Sequence, residues 1–175
     1  MTHNPSRRPL ILSAKMSADA QQFFNEKRRT HFPRERNYLD AHITLFHTLP
    51  DLEVDNITQR LTDEIRGRTP FPAQAAGVVF MGFGSAYVVE CPMLIDIRKT
   101  LAHDWQDWLS PQDRQTFRPH VTFQNKVDAA VAKQVYHDEK SRFESFDFLI
   151  TGLSLWYYDM GPWEHITDFE FQPNA

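Results

Sequence analysis

The chain runs twice through one order of elements. Hydrophobic periodicity predicts a strand at 9–16, a helix opened by Ser17 and stopped by Pro33, a strand at 41–47, a helix through DLEVDNITQRLTDEIRGR and a strand in FPAQAAGVVFMG. A hairpin turn at Gly82 and Gly84 follows. Next come a strand in AYVVEC, a helix from Pro92 with Leu94, Ile97, Leu101, Trp105 and Trp108 on one stripe, and a strand at 119–124. A helix opened by Asp128 and a strand in FDFLITGLSLWYY complete the second round, and one strand, WEHITDFEF, is left over. The offsets are nearly constant, with first strands near 10 and 86 and second helices near 52 and 128. This pattern predicts a single bilobal α+β domain over 1–175, with intertwined repeat halves at about 9–82 and 85–158 and an extra terminal strand at 163–171. A pseudo-two-fold between the halves would bring the two middle strands face to face across a groove.

Both middle strands carry one motif, His42-Ile43-Thr44-Leu45 and His120-Val121-Thr122-Phe123. Side chains alternate across a strand, so each His shares a face with its Thr, about 6–7 Å away, while the apolar pair faces the core. Arg118 and Gln124 extend the second polar face, and Phe46 extends the first. Eight His and twelve Thr scattered over 175 residues give about 0.5 His-x-Thr copies by chance. A third copy, His165-Ile166-Thr167, is followed by Asp168 and lacks the apolar fourth position, so it is read as a decoy. Equivalent placement in the two halves is what distinguishes the other two. Facing imidazoles supply an acid and a base.

The composition narrows the class. Charged residues make up 24% and hydrophobic residues 41%, ordinary values for a globular protein. No run approaches the roughly 18 apolar residues of a membrane span, and MTHNPSRRPLIL is not a signal peptide, so a cytoplasmic protein with no membrane partner is expected. The single Cys91 cannot form an internal disulfide and has no activating neighbour in sequence. A net charge of -4 argues against non-specific coating of nucleic acid, which depends on neutralising many phosphates. Residues 1–36 nevertheless hold eight Lys and Arg against three acids, a surplus that reads either as a solvated helix face or as an RNA-contacting surface. No short His/Cys/Asp spacing suggests zinc, and no G-x-S-x-G suggests a serine hydrolase. His47 falls on the face of Ile43 and Leu45 and reads as a hydrogen-bonded core or edge residue.

At FPRERNYLDAHITLFHTLP, FRPHVTFQNKV and DMGPWEHITDFEF the chain resembles the 2H phosphoesterase superfamily, and within it the bacterial 2′-5′ RNA ligase family. The resemblance covers essentially the whole chain. It implies a bilobal duplicated fold of two antiparallel sheets flanked by helices, with the site in the groove between them. It also implies chemistry on 2′,3′-cyclic phosphates or 2′-5′ phosphodiesters of RNA ends or nucleotides; with no ligand spacing in the sequence, no metal or cofactor is expected.

In-line opening of a cyclic phosphodiester needs one group to take a proton from water and another to protonate the leaving oxygen. A neutral imidazole and an imidazolium suit these tasks near neutral pH. His42 and His120 are therefore the expected catalytic residues, with Thr44 and Thr122 donating to the non-bridging oxygens, Arg118 adding a cationic contact and Phe46 stacking on a base. Two other readings remain: a 2′-5′ end-joining ligase, and a non-catalytic module that binds RNA ends or nucleotides. A monomer is the default expectation.

Overall fold

The computed structural model describes residues 8–173. The predicted elements all form: β1 (Leu10–Met16), α1 (Ala18–His31), β2 (Ile43–Leu49), α2 (Val54–Ile65), β3 (Phe71–Phe80), β4 (Ser85–Glu90), α3 (Pro92–Asp104), β5 (His120–Gln124), α4 (Ala129–Arg142), β6 (Phe146–Tyr158) and β7 (Trp163–Glu170). Ser17 and Asp128 stand at the N-cap positions of α1 and α4, but neither side chain caps its helix. Ser17 instead ties α1 to β6, accepting a hydrogen bond from Leu149 N at 3.3 Å while its own N–H donates to Leu149 O at 2.9 Å. The stripe predicted to run to Trp108 leaves the helix at Asp104, and Trp105 N closes the last turn onto Leu101 O at 3.0 Å.

The strands form a seven-stranded antiparallel sheet with the path β2-β1-β6-β3-β4-β5, and β7 pairs with β6 off that path. The two expected sheets are thus joined, and β6 is the reason. Its first residues, Phe146–Ile150, pair with β3, while Gly152–Tyr157 pair with β1 and β7. Taken half by half, the path reads middle, first, last, last, first, middle. The order is unchanged when the two halves are exchanged. It leaves β2 and β5, the two motif strands, as the opposite ends of the path, and curling of the sheet brings them back into contact.

Apolar residues from both halves make one core, with Phe24 of α1, Leu10 and Leu12 of β1, Tyr87 of β4 and Phe123 of β5 all fully buried. The Tyr87 hydroxyl reaches Glu139 of α4, which also accepts Lys27 Nζ of α1 at 2.7 Å, so this buried phenol has a partner. At the β3–β4 hairpin Gly82 has φ +88°, and Gly84 lies so close to β5 that a Cβ there would stand 1.9 Å from Gln124 O. No helix among the described residues is long and apolar enough to cross a membrane.

Candidate active site

His42 stands immediately before β2 and is held by α1. Asn25 Oδ1 accepts Ala41 N at 2.7 Å, and Gln21 Nε2 donates to Ala41 O at 2.8 Å, which fixes the backbone leading into the imidazole. Its Nδ1 lies 2.8 Å from Asp40 O. A backbone carbonyl only accepts, so Nδ1 carries the proton and Nε2 keeps its lone pair. The ring packs 4.5 Å from the Trp163 ring of β7. Burial pushes the His42 pKa down to about 4; the Asp40 carbonyl opposes this, and the positive charges of Arg28, His120 and His47 reinforce it.

His120 opens β5 with the same arrangement, Nδ1 2.8 Å from Arg118 O. Val121 and Phe123 are fully buried as expected, and His120 and Thr122 are half-buried on the other face. The two motif strands are tied across the halves by buried arginines. Arg28 of α1 donates through Nη1 to Thr122 O at 2.8 Å, and Arg98 of α3 donates through Nε to Leu45 O at 2.6 Å. Each half's first helix thus grips the other half's motif strand. Burial lowers the Arg28 pKa to about 10, which leaves it cationic at neutral pH.

Phe46 does not stack on a base. Along the β1–β2 ladder Ser13 faces Thr44 but Leu12 faces Phe46, so Leu45 is an extra residue on β2. This bulge breaks the alternation: Leu45 and Phe46 both turn inward, and His47 moves out to the side of Thr44. Fully buried, the Phe46 ring lies 3.8 Å beneath the Arg98 guanidinium and 5.1 Å from Trp105.

Two cavities are lined from the start of the β2 segment. One, of about 600 Å³, is lined by His42 with Tyr38, Trp156 and Trp163. The other, of about 700 Å³, is lined by Thr44, His47, Arg118 and His120. His42 and Thr44 sit two residues apart where β2 passes from one cavity to the other, a distance of about 6–7 Å along a strand. Thr122 lines neither. Arg118 is exposed and its guanidinium has no hydrogen-bond or ion-pair partner among the described residues. His165 lies in the wall of the first cavity with Nε2 2.8 Å from Asp168 Oδ1.

Residues that sequence reasoning missed share a long-range origin. Asp113 is 3% exposed and accepts His47 Nδ1 at 2.9 Å, His47 N at 2.9 Å, Thr48 N at 3.0 Å and Ser110 Oγ at 3.2 Å. Burial alone would raise its pKa, but these donors outweigh it and hold the carboxyl below its ordinary range. Half of the basic surplus near the N-terminus is engaged: Arg28 is buried, Arg8 pairs with Glu164, Lys15 with Asp168 at 2.7 Å and Lys27 with Glu139 at 2.7 Å. Arg29, Arg34 and Arg36 are exposed, and Arg7 lies outside the described residues. Cys91 is buried beside Pro72 O, and burial pushes its thiol pKa up. Among the described residues no group of three or more His, Cys, Asp or Glu is placed to hold a metal.

The sequence model of the 2′-5′ RNA ligase superfamily matches residues 16–162. The chain belongs to this superfamily. Among solved structures, TT0787 of Thermus thermophilus is similar with a TM-score of 0.69 at 15% identity, covering 95% of this chain and 100% of that one. E. coli LigT complexed with 3′-AMP follows with a TM-score of 0.60 at 16% identity, covering 95% and 99%. LigT complexed with NADP+ gives 0.55 at 15% identity, again covering 95% and 99%. At these identities the likeness is one of fold, the LigT-like α+β fold. No curated protein matches the sequence.

Proposed function

We propose that this member of the 2′-5′ RNA ligase superfamily is a phosphoesterase that opens 2′,3′-cyclic phosphates or cleaves 2′-5′ phosphodiesters of RNA ends or nucleotides. It acts as a cytoplasmic single-domain monomer, without metal or cofactor. One observation carries the reading: His42 and His120 have matching Nδ1–carbonyl bonds that leave each Nε2 without a hydrogen-bond partner among the described residues, and the strands they open, β2 and β5, lie in contact. Nucleotide complexes of LigT agree with a nucleotide ligand for this fold.

His42, with a pKa near 4, is unprotonated at neutral pH and serves as the base. Its Nε2 takes a proton from water as the oxygen attacks phosphorus. The bond from phosphorus to the ribose oxygen breaks on the opposite side, and His120 as imidazolium delivers a proton to that oxygen. Thr44 donates to a non-bridging oxygen where charge grows, and Arg118 offers its free guanidinium to the same group. Ligation of a 2′-5′ end uses the same groups with their roles reversed.

Turnover of nucleoside 2′,3′-cyclic phosphates, cyclic-ended RNA and 2′-5′ linked oligonucleotides by wild type, His42→Ala and His120→Ala, with and without EDTA, tests this. Each variant should lose about 10²- to 10⁴-fold, the usual contribution of a general acid or base, and EDTA should change nothing. Full activity in the double variant would refute the site. Binding without turnover by the wild type would favour the non-catalytic module.

A further inference from the structure

The cavity beside His120 contains a second built feature that the proposed chemistry leaves unused. The bulge at Leu45 brings His47 to the surface of that cavity, and the buried carboxylate of Asp113 holds its Nδ1 at 2.9 Å. The other ring nitrogen, Nε2, is left for the cavity. Asp113 is anchored by Thr48 N and Ser110 Oγ besides His47, and its backbone carbonyl accepts Arg98 Nη2 at 2.5 Å. A carboxylate so fixed fixes the imidazole in turn. When Nε2 carries a proton, the ring held at Nδ1 by Asp113 offers that N–H to an anion in the cavity.

The surroundings specify the sign of that occupant. Among the described residues Asp113 is the only acid lining this cavity, and its oxygens are all engaged behind His47. Arg118 and Thr44 add donors, and Gln112, Gln115 and Thr116 also line the cavity. The cavity on the other side of β2 is different, with Asp40 and Asp168 in its walls. With Thr44 and His120 serving the reacting phosphate, His47 stands ready for another anion.

We propose that His47, oriented by Asp113, binds a second phosphate of the substrate, so that the preferred substrate carries a phosphate besides the one that reacts. This rests on the phosphoesterase reading for the location of the reacting group. The second phosphate has two chemical sources, a terminal monoester or the next link of an RNA chain, and both are within reach of a test by product-like ligands.

Affinities of adenosine 3′-phosphate, adenosine 3′,5′-bisphosphate and the dinucleotide ApAp are measured by titration calorimetry. Wild type is compared with His47→Asn and His47→Ala, each checked for folding by circular dichroism. Asparagine retains a donor toward Asp113 but has nothing in place of Nε2, so a purely structural clasp would survive in it. Wild type should bind the bisphosphate, the dinucleotide or both at least tenfold more tightly than the monophosphate, and the stronger of the two names the source. That preference should fall below threefold in both variants. Equal affinity for all three ligands in the wild type, or a preference that persists in His47→Asn, overturns the proposal. Because calorimetry does not require turnover, the preference can appear in a protein that hydrolyses none of the substrates. In that case the phosphoesterase reading fails while the second phosphate site stands.

Discussion

His42 and His120 stand at opposite ends of the sheet path, yet each ring is fixed by the carbonyl two residues before it, Asp40 O and Arg118 O, at the same 2.8 Å. The shared bond selects one tautomer in both halves. What separates the two residues is their surroundings, because His42 packs against Trp163 in one cavity while His120 lines the other.

The pH dependence follows from the burial of the His42 ring nitrogens. Burial lowers the folded-state pKa of His42 to about 4, below the ordinary 6.5. Base catalysis needs the neutral ring, so kcat/KM should hold as pH falls through 6.5 and drop only near 4. The same shift acts on stability: the unfolded chain binds a proton first, so the contribution is complete above 6.5 and is lost as pH falls toward 4. Urea titrations of wild type and His42→Gln at several pH values should show the variant's curve to be flatter across that window. An acidic limb centred at 6.5 would assign the base elsewhere.

Thr44 and Thr122 should no longer behave alike. Thr44 lines the His120 cavity, and Thr44→Val is expected to cost about 1.5–3 kcal/mol of barrier, the value of a hydrogen bond to a charged oxygen. Thr122 lines neither cavity, so Thr122→Val should cost less than half of that. Single-turnover rates of the two variants on one cyclic phosphate give the comparison.

Arg98 joins Leu45 O to Asp113 O and covers Phe46. Its removal leaves two buried carbonyls unpaired and uncovers a ring, so Arg98→Ala should lower unfolding free energy by about 3–5 kcal/mol. Arg98→Lys should recover less than half of the loss, since one ammonium cannot span both carbonyls while lying flat on the ring. Denaturant midpoints at constant slope provide the measurement.

Gly84→Ala should damage both stability and turnover. The added Cβ meets a backbone oxygen of β5, Gln124 O, which has no flexible end to move aside. We expect a loss of about 1–3 kcal/mol, as for overpacked positions, with a reduced rate because His120 is on the displaced strand. A fully active, equally stable alanine variant would contradict the close approach.

Local pattern made most of the fold readable. Alternation revealed β2 and β5, an apolar run revealed β1, helical spacing revealed α2 and α3, and the matching order of the halves suggested that the motif strands face each other. Phe46 and His47 were misplaced for one reason: alternation extrapolated past Leu45 cannot detect a residue added on one side of a ladder, and the bulge exists only relative to β1. Asp113 was invisible for another. It lies in a polar turn, and its partners His47 and Thr48 are more than sixty residues away. Arg28 looked like one charge among several in a basic stretch; only the return of β5 against α1 shows it to be buried. The continuity of the sheet through β6 was likewise hidden, because one long apolar strand reads the same whether it serves one lobe or both.

The exchange-invariant path of the sheet has an ancestral implication. A polypeptide of half this length, carrying a single motif, could assemble the same six-strand path by lending its last strand to the first strand of a second copy, and that assembly would be a homodimer with two identical rims. Within one chain the symmetry is no longer enforced. The rim at His42 has gained a tryptophan from β7, and the rim at His120 has gained an imidazole seated on a buried aspartate. A path that is symmetric in order thus presents unlike faces at its two rims.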